Sequence, residues 1–157
     1  MLFICEHGSM DIYHQLKTWV DTDQWKPFLT QLLADTNSSF YLYGGSSVLA
    51  DIYVEEQDNE GLFRFLATIK NDRLDLLDHY AYHLPKEYAD RLIGLYICDL
   101  RQYAERNMGR DHYLRVAHSM RKMQKLPGGR EDAHKLAEEF RTKYKKRRAM
   151  MEELKEF

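Results

Sequence analysis

The sequence has few of the residues that would cross-link a chain or interrupt its helices. Its only cysteines, Cys5 and Cys98, lie far apart among 157 residues, and this excludes a disulfide framework and a cysteine-rich metal site. We therefore predict free, buried thiols in a reducing compartment. Three prolines and eight glycines leave long uninterrupted segments. Leu, Ala, Met, Glu, Lys, Arg and Gln dominate those segments, and this composition favours helix.

Long apolar runs are also absent. No stretch approaches the ~18 residues that a membrane-spanning helix needs. The opening MLFIC is too short for the core of a signal peptide, because Glu6 and His7 follow at once. We therefore predict a cytoplasmic location. The hydrophobic share of 44% and the charged share of 31% are typical of a globular chain that can bury a real core.

The periodicity of the apolar residues predicts an all-α fold. Residues 1–40 hold two helices, the first with Ser9 as a candidate N-cap. A turn-rich stretch at 35–47 leaves room for a short extended piece at 40–43. Three helical hairpins follow over 47–157. Because a hairpin cannot bury its apolar face alone, we predict a single domain in which antiparallel hairpins stack into a short irregular α-solenoid, tetratricopeptide-like but without the consensus of that repeat.

Two of the predicted helices are especially informative. In helix 86–106 the apolar residues cover roughly half the circumference, so we expect neighbours on two sides. The PGG sequence at 127–129 should separate the last two helices. In the final segment, 130–154, residues at alternating spacings of four and three form a seam along one helix face. We therefore predict one long amphipathic helix that closes the solenoid. Its seam consists of Ala133, Ala137, Phe140, Tyr144, Arg147, Met151 and Leu154.

Charge is unevenly distributed along the chain. The net charge is −2, but residues 1–100 hold 7 Lys and Arg against 16 Asp and Glu, whereas 101–157 hold 16 against 9. Six basic residues fall within 141–148. Such a run is typical either of the solvated face of a docked helix or of a nucleic-acid surface, although the aromatic groups that single-strand binders need are committed to the seam. We predict that partner or nucleic-acid contacts are made by Arg141, Lys145, Lys146 and Arg148.

The C-terminal part resembles a known group of proteins. GRDHYLRVAHSMRKMQKL, a Pro-Gly turn and a helix ending FRTKYKKRRAMMEEL are similar to the C-terminal helical region of bacterial SWIM zinc-finger proteins. The resemblance, best over 85–157, implies a helical module that binds DNA or protein. The zinc finger itself needs Cys-x-Cys followed by Cys-x-His, which this sequence lacks, so the resemblance supplies no zinc ligand. The matching positions are Gly109, Arg110, Asp111, Tyr113, Ala117, Phe140, Tyr144, Lys146, Arg147, Arg148, Met151 and Leu154.

One pattern of possible metal ligands is present. Asp75, His79 and His83 recur at i, i+4 and i+8, which is acceptable ligand spacing on one helix face. HYAYH nevertheless lacks the glutamate that the zinc-protease helix uses as its base.

We predict a non-enzymatic helical-repeat protein-interaction module that needs no cofactor and binds its partner on a concave face or on the basic flank. The alternatives are a nucleic-acid-associated protein using the basic C-terminal half and a metal-dependent enzyme at His79 and His83.

Overall fold

A computed structural model describes residues 10–36, 46–69 and 73–157. These ranges are all-helical and contain no strand, which confirms the predicted all-α class. Cys5, Ser9 and the stretch at 40–43 lie outside the described residues. The α-helices of the described ranges are α1 (Met10–Trp19), α2 (Thr22–Thr36), α3 (Ser46–Glu55), α4 (Asn59–Thr68), α5 (Arg73–Tyr80), α6 (Ala89–Arg106), α7 (Arg110–Gln124), α8 (Gly129–Lys143) and α9 (Arg148–Glu153).

Contacts between residues divide the chain into two compact units, 1–65 and 66–157. The border falls within α4, a helix of the first predicted hairpin. The single domain and the stacking of hairpins into a solenoid stay predictions. Among the described helices, none combines the length and the apolar character needed to cross a membrane.

In the first unit, one carboxylate joins three helices. Glu56 directly follows α3, and its Oε1 accepts hydrogen bonds from the hydroxyl of Tyr13 on α1, from Nζ of Lys17 at 2.8 Å and from Nε1 of Trp25 on α2 at 3.0 Å. Burial raises the pKa of Glu56, but these hydrogen bonds outweigh it and hold the pKa below its usual value. The ionised carboxylate thus fixes α1 and α2 to the end of α3.

The centre of the second unit is formed by α6 and α7. α6 packs against α5, α7 and α8, as expected for a helix whose apolar residues cover half its circumference. α7 contacts α5, α6, α8 and α9. The side chains that are almost completely buried here include Leu92, Tyr96, Leu100, Met120 and Phe140.

The PGG sequence separates α7 from α8, as predicted. Gly128 has φ +81°, a left-handed conformation that favours glycine. A Cβ on Gly129 would lie only 2.0 Å from the carbonyl oxygen of Met123. Glycine at this position therefore lets the start of α8 approach the end of α7 more closely than any other residue would.

The prediction of one long C-terminal helix is wrong, because the helix breaks at 144–147. α8 ends at Lys143, and α9 begins at Arg148. A continuous helix would hold the guanidinium of Arg147 in the apolar seam. In the turn it lies over the Tyr144 ring instead, 4.1 Å from the centroid, and Nη1 donates to the carbonyl oxygen of Ala104 at 2.6 Å. That carbonyl belongs to the last turn of α6, where intrahelical donors are missing.

The break also changes which methionine is buried. Before it, the seam residues Ala133, Ala137 and Phe140 are buried, as predicted. After it, Met150 is fully buried and Met151 is only partly buried. The seam residues Tyr144 and Leu154 are buried as predicted, so the pattern extrapolated through 144–147 selects the wrong side chain only at the methionine.

The prediction of buried thiols is wrong for Cys98, which is free but exposed. It lies two residues after the buried Tyr96, about 200° further around α6 at 100° per residue. The amide nitrogen of Gln102 lies 3.5 Å from its sulfur. The apolar arc of α6 therefore ends before it reaches this cysteine.

Candidate binding cleft

A cleft of about 440 Å³ lies in the second unit, between the end of α5, the start of α6 and the end of α7. This volume is within the range of small-ligand pockets. Most of its lining is apolar, as is usual for such sites. The apolar and aromatic lining residues are Leu77, Ala81, Tyr82, Leu84, Pro85, Ala89, Leu92, Tyr96, Leu126 and Pro127.

The connection from α5 to α6 shapes one wall of the cleft. After α5 the chain forms a 3₁₀ helix at Ala81–His83, and a second one follows at Lys86–Tyr88. Pro85 stands between them with φ −58°, and the α conformation is disfavoured for the residue before a proline. The resulting bend buries Leu84 and leaves Tyr82 71% exposed in the lining of the cleft.

Three lysines add positive charge to the lining. Lys86 precedes α6, Lys122 lies in the last turn of α7, and Lys125 follows that helix. None of the three forms an ion pair with a residue in the described part of the chain. Unpaired cations around an apolar cleft raise the local concentration of anionic groups. The cleft is therefore complementary to an occupant that is apolar in its middle and acidic at its edges.

A buried carboxylate, Asp78, also lines the cleft, and its side chain is only 4% exposed. Its Oδ2 accepts hydrogen bonds from Nη1 of Arg115 at 2.5 Å and from the hydroxyl of Ser119 at 2.8 Å. The Nε2 of His118 lies 3.9 Å from the same oxygen. Its Oδ1 makes no hydrogen bond with any residue of the described ranges. The polar contacts of this carboxylate are therefore concentrated on Oδ2, and Oδ1 has almost no accessible surface.

Helix geometry brings these groups together. Arg115 and Ser119 are four residues apart on α7, so they share a face. Asp75 and Asp78 are three residues apart on α5, and the two amino groups of Arg115 bind one carboxylate each. The negative charge of Asp78 is therefore compensated within the fold.

The Tyr96 hydroxyl neighbours this carboxylate in the lining. Burial of the ring, followed by the negative charge of Asp78, raises the pKa of Tyr96, so that the phenol stays protonated at neutral pH. The deep part of the cleft therefore contains a neutral hydroxyl next to a buried carboxylate.

The four residues of the predicted basic flank have different roles. Arg141 donates to the carboxylate of Glu138 and, at 2.5 Å, to the carbonyl oxygen of Leu154, so it belongs to the fold. Lys145, Lys146 and Arg148 are exposed. They form no ion pair with another residue of the described segments. Only these three are free to meet a partner.

Asp75, His79 and His83 do not share one helix face, as the alternative of a metal site requires, because α5 ends at Tyr80 and His83 falls on the following 3₁₀ helix. The carboxylate of Asp75 pairs with Arg115, and the His83 ring lies 4.2 Å from that of Tyr82, between centroids. Across 10–36, 46–69 and 73–157, no three His, Cys, Asp or Glu side chains are grouped so that they could hold a metal ion.

Sequence analysis missed the cleft. Its lining comes from two segments, 77–96 and 122–127, and only the tertiary fold brings them together. The PGG sequence was recognised as a helix break, and its Pro127 lines the cleft together with Pro85. Two prolines with lysines close by in the sequence were the local signal for it.

By its fold this is an all-α protein whose second unit contains an apolar, lysine-lined cleft. Comparisons with protein-family models, with curated proteins and with solved structures find no match. The functional conclusion therefore depends on the geometry of the chain itself.

Proposed function

We propose that the chain is a non-enzymatic protein-interaction module that holds a short segment of a partner protein in the cleft of its second unit. The segment has a large apolar side chain flanked by Asp or Glu. The observation that supports this most is the combination of apolar walls with Lys86, Lys122 and Lys125, none of them paired within the described residues. Moving a large apolar side chain from water into such a cleft is favourable by about 1.5–3 kcal/mol.

The placement of the lysines favours a peptide segment as the occupant. Lys86 belongs to the start of α6, whereas Lys122 and Lys125 belong to the end of α7. Carboxylates on either side of an anchor residue can reach both elements, because consecutive residues of an extended chain advance by about 3.3 Å each. The acidic residues would mainly accelerate association and select the partner, and the anchor side chain would supply most of the affinity.

The first test is binding of an acidic peptide with a central aromatic residue, compared with a basic peptide of the same length. Wild-type protein should prefer the acidic peptide. The variant Lys86→Gln/Lys122→Gln/Lys125→Gln should bind it about tenfold more weakly at low salt, since three exposed ion pairs worth up to about 0.5 kcal/mol each are lost.

The control for this test is Lys145→Gln/Lys146→Gln/Arg148→Gln, which removes the same charge elsewhere. It should keep the affinity of the wild type. Equal losses in both variants, or a wild type that does not distinguish the two peptides, would contradict docking in the cleft. Fluorescence anisotropy of labelled peptides measures all of these affinities.

A second candidate function is nucleic-acid binding by Lys145, Lys146 and Arg148, which are exposed and have no ion-pair partner in the described segments. If they contact phosphates, the affinity for duplex DNA or single-stranded RNA should fall steeply with salt. The variant Lys145→Gln/Lys146→Gln/Arg148→Gln should flatten the log–log slope by about 0.9 per lost contact on duplex DNA and by about 0.7 on a single strand. The Lys86/Lys122/Lys125 variant is the control and should keep the slope. Absence of binding at low salt would leave the three residues as solvated charges.

The resemblance of 85–157 to the helical region of SWIM zinc-finger proteins belongs to the same proposal. It implies a module that binds protein or DNA, and the two tests distinguish these partners. Residues 66–157, the second unit, contain the whole of that region.

A further inference from the structure

The apolar face of α1 is only partly buried. Apolar residues recur here at helical spacing, and such a pattern is typical of a face packed into a core. They are Ile12, Leu16, Trp19 and Val20, the last of which directly follows the helix. Of the side chains of α1, which the structure describes in full, only that of Tyr13 is buried, and Trp19 is 76% exposed. The folded chain therefore presents a large aromatic side chain that its own core does not use.

Two acidic side chains follow Trp19 closely. Asp21 stands between α1 and α2, and Asp23 lies in the first turn of α2. Both are exposed, and neither side chain forms an ion pair or a hydrogen bond with a residue in the described part of the chain. A large apolar side chain with carboxylates close by is the chemistry to which the cleft of the second unit is complementary.

We propose that the partner protein is a second copy of this chain. Trp19 of one copy enters the cleft of the other, and Asp21 and Asp23 lie opposite Lys86 and Lys125, which are exposed in its lining. This inference rests on the proposed function of the cleft and names the partner. Tryptophan is among the residues most enriched in the energetic centres of interfaces, where an aromatic side chain buries about 150–250 Å².

The charges of the two units favour contact between copies. Unit 1–65 contains 10 Asp and Glu against 3 Lys and Arg, whereas unit 66–157 contains 15 against 20. The first unit of one copy is therefore attracted to the second unit of another, and equivalent units repel each other. Such complementarity accelerates association and suppresses wrong pairings.

The corner that carries Trp19 is held in place before binding. Oε1 of Glu56 accepts hydrogen bonds from Tyr13 and Lys17 on α1 and from Trp25 on α2. Both helices that meet at the corner are thus fixed to the end of α3. Little conformational freedom is lost when such a segment docks, and this lowers the cost of association.

The first test is sedimentation velocity of the full chain at concentrations from about 1 μM to 1 mM, which covers weak interfaces. The wild type should associate as the concentration rises, and high salt should weaken the association because it screens exposed charges. Trp19→Ser should raise the dissociation constant about thirtyfold or more, as expected for an interface hot spot. Met108→Ser is the matched control, since Met108 is 71% exposed but does not line the cleft, and it should keep the association.

An exchange of charges tests the pairing itself. In Asp21→Lys/Asp23→Lys the segment would meet the lysines of the cleft, so this variant alone should remain monomeric. Lys86→Glu/Lys125→Glu should also remain monomeric, because its cleft would repel the acidic segment. An equimolar mixture should associate again, since each segment then finds a cleft of opposite charge, and a mixture that stays monomeric would contradict the pairing. All four side chains are exposed, so the fold should be kept, and far-UV circular dichroism checks this.

The outcomes separate this inference from the proposed function. A wild type that stays monomeric but binds the acidic peptide would overturn the second copy and leave docking in the cleft in place. A monomer that also fails to bind the peptide would overturn both. If Trp19→Ser and the charge variants associate as well as the wild type, the copies meet elsewhere and the inference is wrong. A monomer that binds the peptide only after Trp19→Ser would place the segment in the cleft of its own chain, and this too contradicts a second copy.

Discussion

Replacing Phe140 by alanine should lower the free energy of unfolding by about 3–5 kcal/mol, the usual cost of truncating a buried phenylalanine. Phe140 is 1% exposed on α8, and its ring centroid lies 5.7 Å from that of Tyr144, next to the break before α9. Because α8 packs against both α6 and α7, the cavity would lie at the meeting point of three helices. We expect little relaxation around it, and hence a loss in the upper part of this range.

Urea unfolding followed by far-UV circular dichroism measures this effect. Leu114→Ala is the control, since Leu114 is 42% exposed on α7 and should cost under about 1 kcal/mol. A loss of unfolding free energy below about 1 kcal/mol for Phe140→Ala would mean that α8 is not packed against α6 and α7. The turn at 144–147 and α9 would then lose their support as well.

Replacing Arg115 by methionine should cost about 3–5 kcal/mol, because it leaves the buried carboxylate of Asp78 without its cation. The hydroxyl of Ser119 would remain as a donor to it, but without a compensating positive charge. The double variant Asp78→Leu/Arg115→Met removes the charge together with its partner, so it should recover a large part of the loss.

The matched control is Arg121→Met on the same helix. Arg121 pairs with Glu156, and the two side chains are 46% and 48% exposed. Solvent-exposed pairs of this kind contribute about 1 kcal/mol at most. Similar losses for Arg115→Met and Arg121→Met would contradict the burial of Asp78. A double variant no more stable than Arg115→Met would show that lost packing, rather than the unpaired charge, is responsible.

The features that could be predicted from the sequence are those fixed by neighbouring residues. The apolar arc of 86–106 predicts α6 and its several neighbours, because helical periodicity is a local property. The PGG sequence predicts the break between α7 and α8, since a left-handed glycine at 128 needs no distant partner. The all-α class follows from the same local information repeated along the chain.

The features that could not be predicted depend on distant contacts. Residues 141–148 contain no glycine or proline to mark a break, and Arg147 in the turn binds the carbonyl of Ala104, 43 positions earlier in the chain. Asp78 has the sequence environment of a surface residue of a short helix. Its burial requires Arg115, 37 positions later, so both the cleft and the buried carboxylate depend on tertiary structure.

The turn between α8 and α9 also lowers the number of basic side chains in 141–148 that are available to a polyanion. Of its six cations, Arg141 and Arg147 are bound to backbone carbonyl oxygens, and Lys143 lies 3.5 Å from Glu105. Three of the six side chains can therefore contact a polyanion without first breaking a bond within the fold. Since the counterions released scale with the phosphates neutralised, a single copy would release about three through this run. A duplex would thus be held here only weakly by one copy, and tight binding would need several copies side by side.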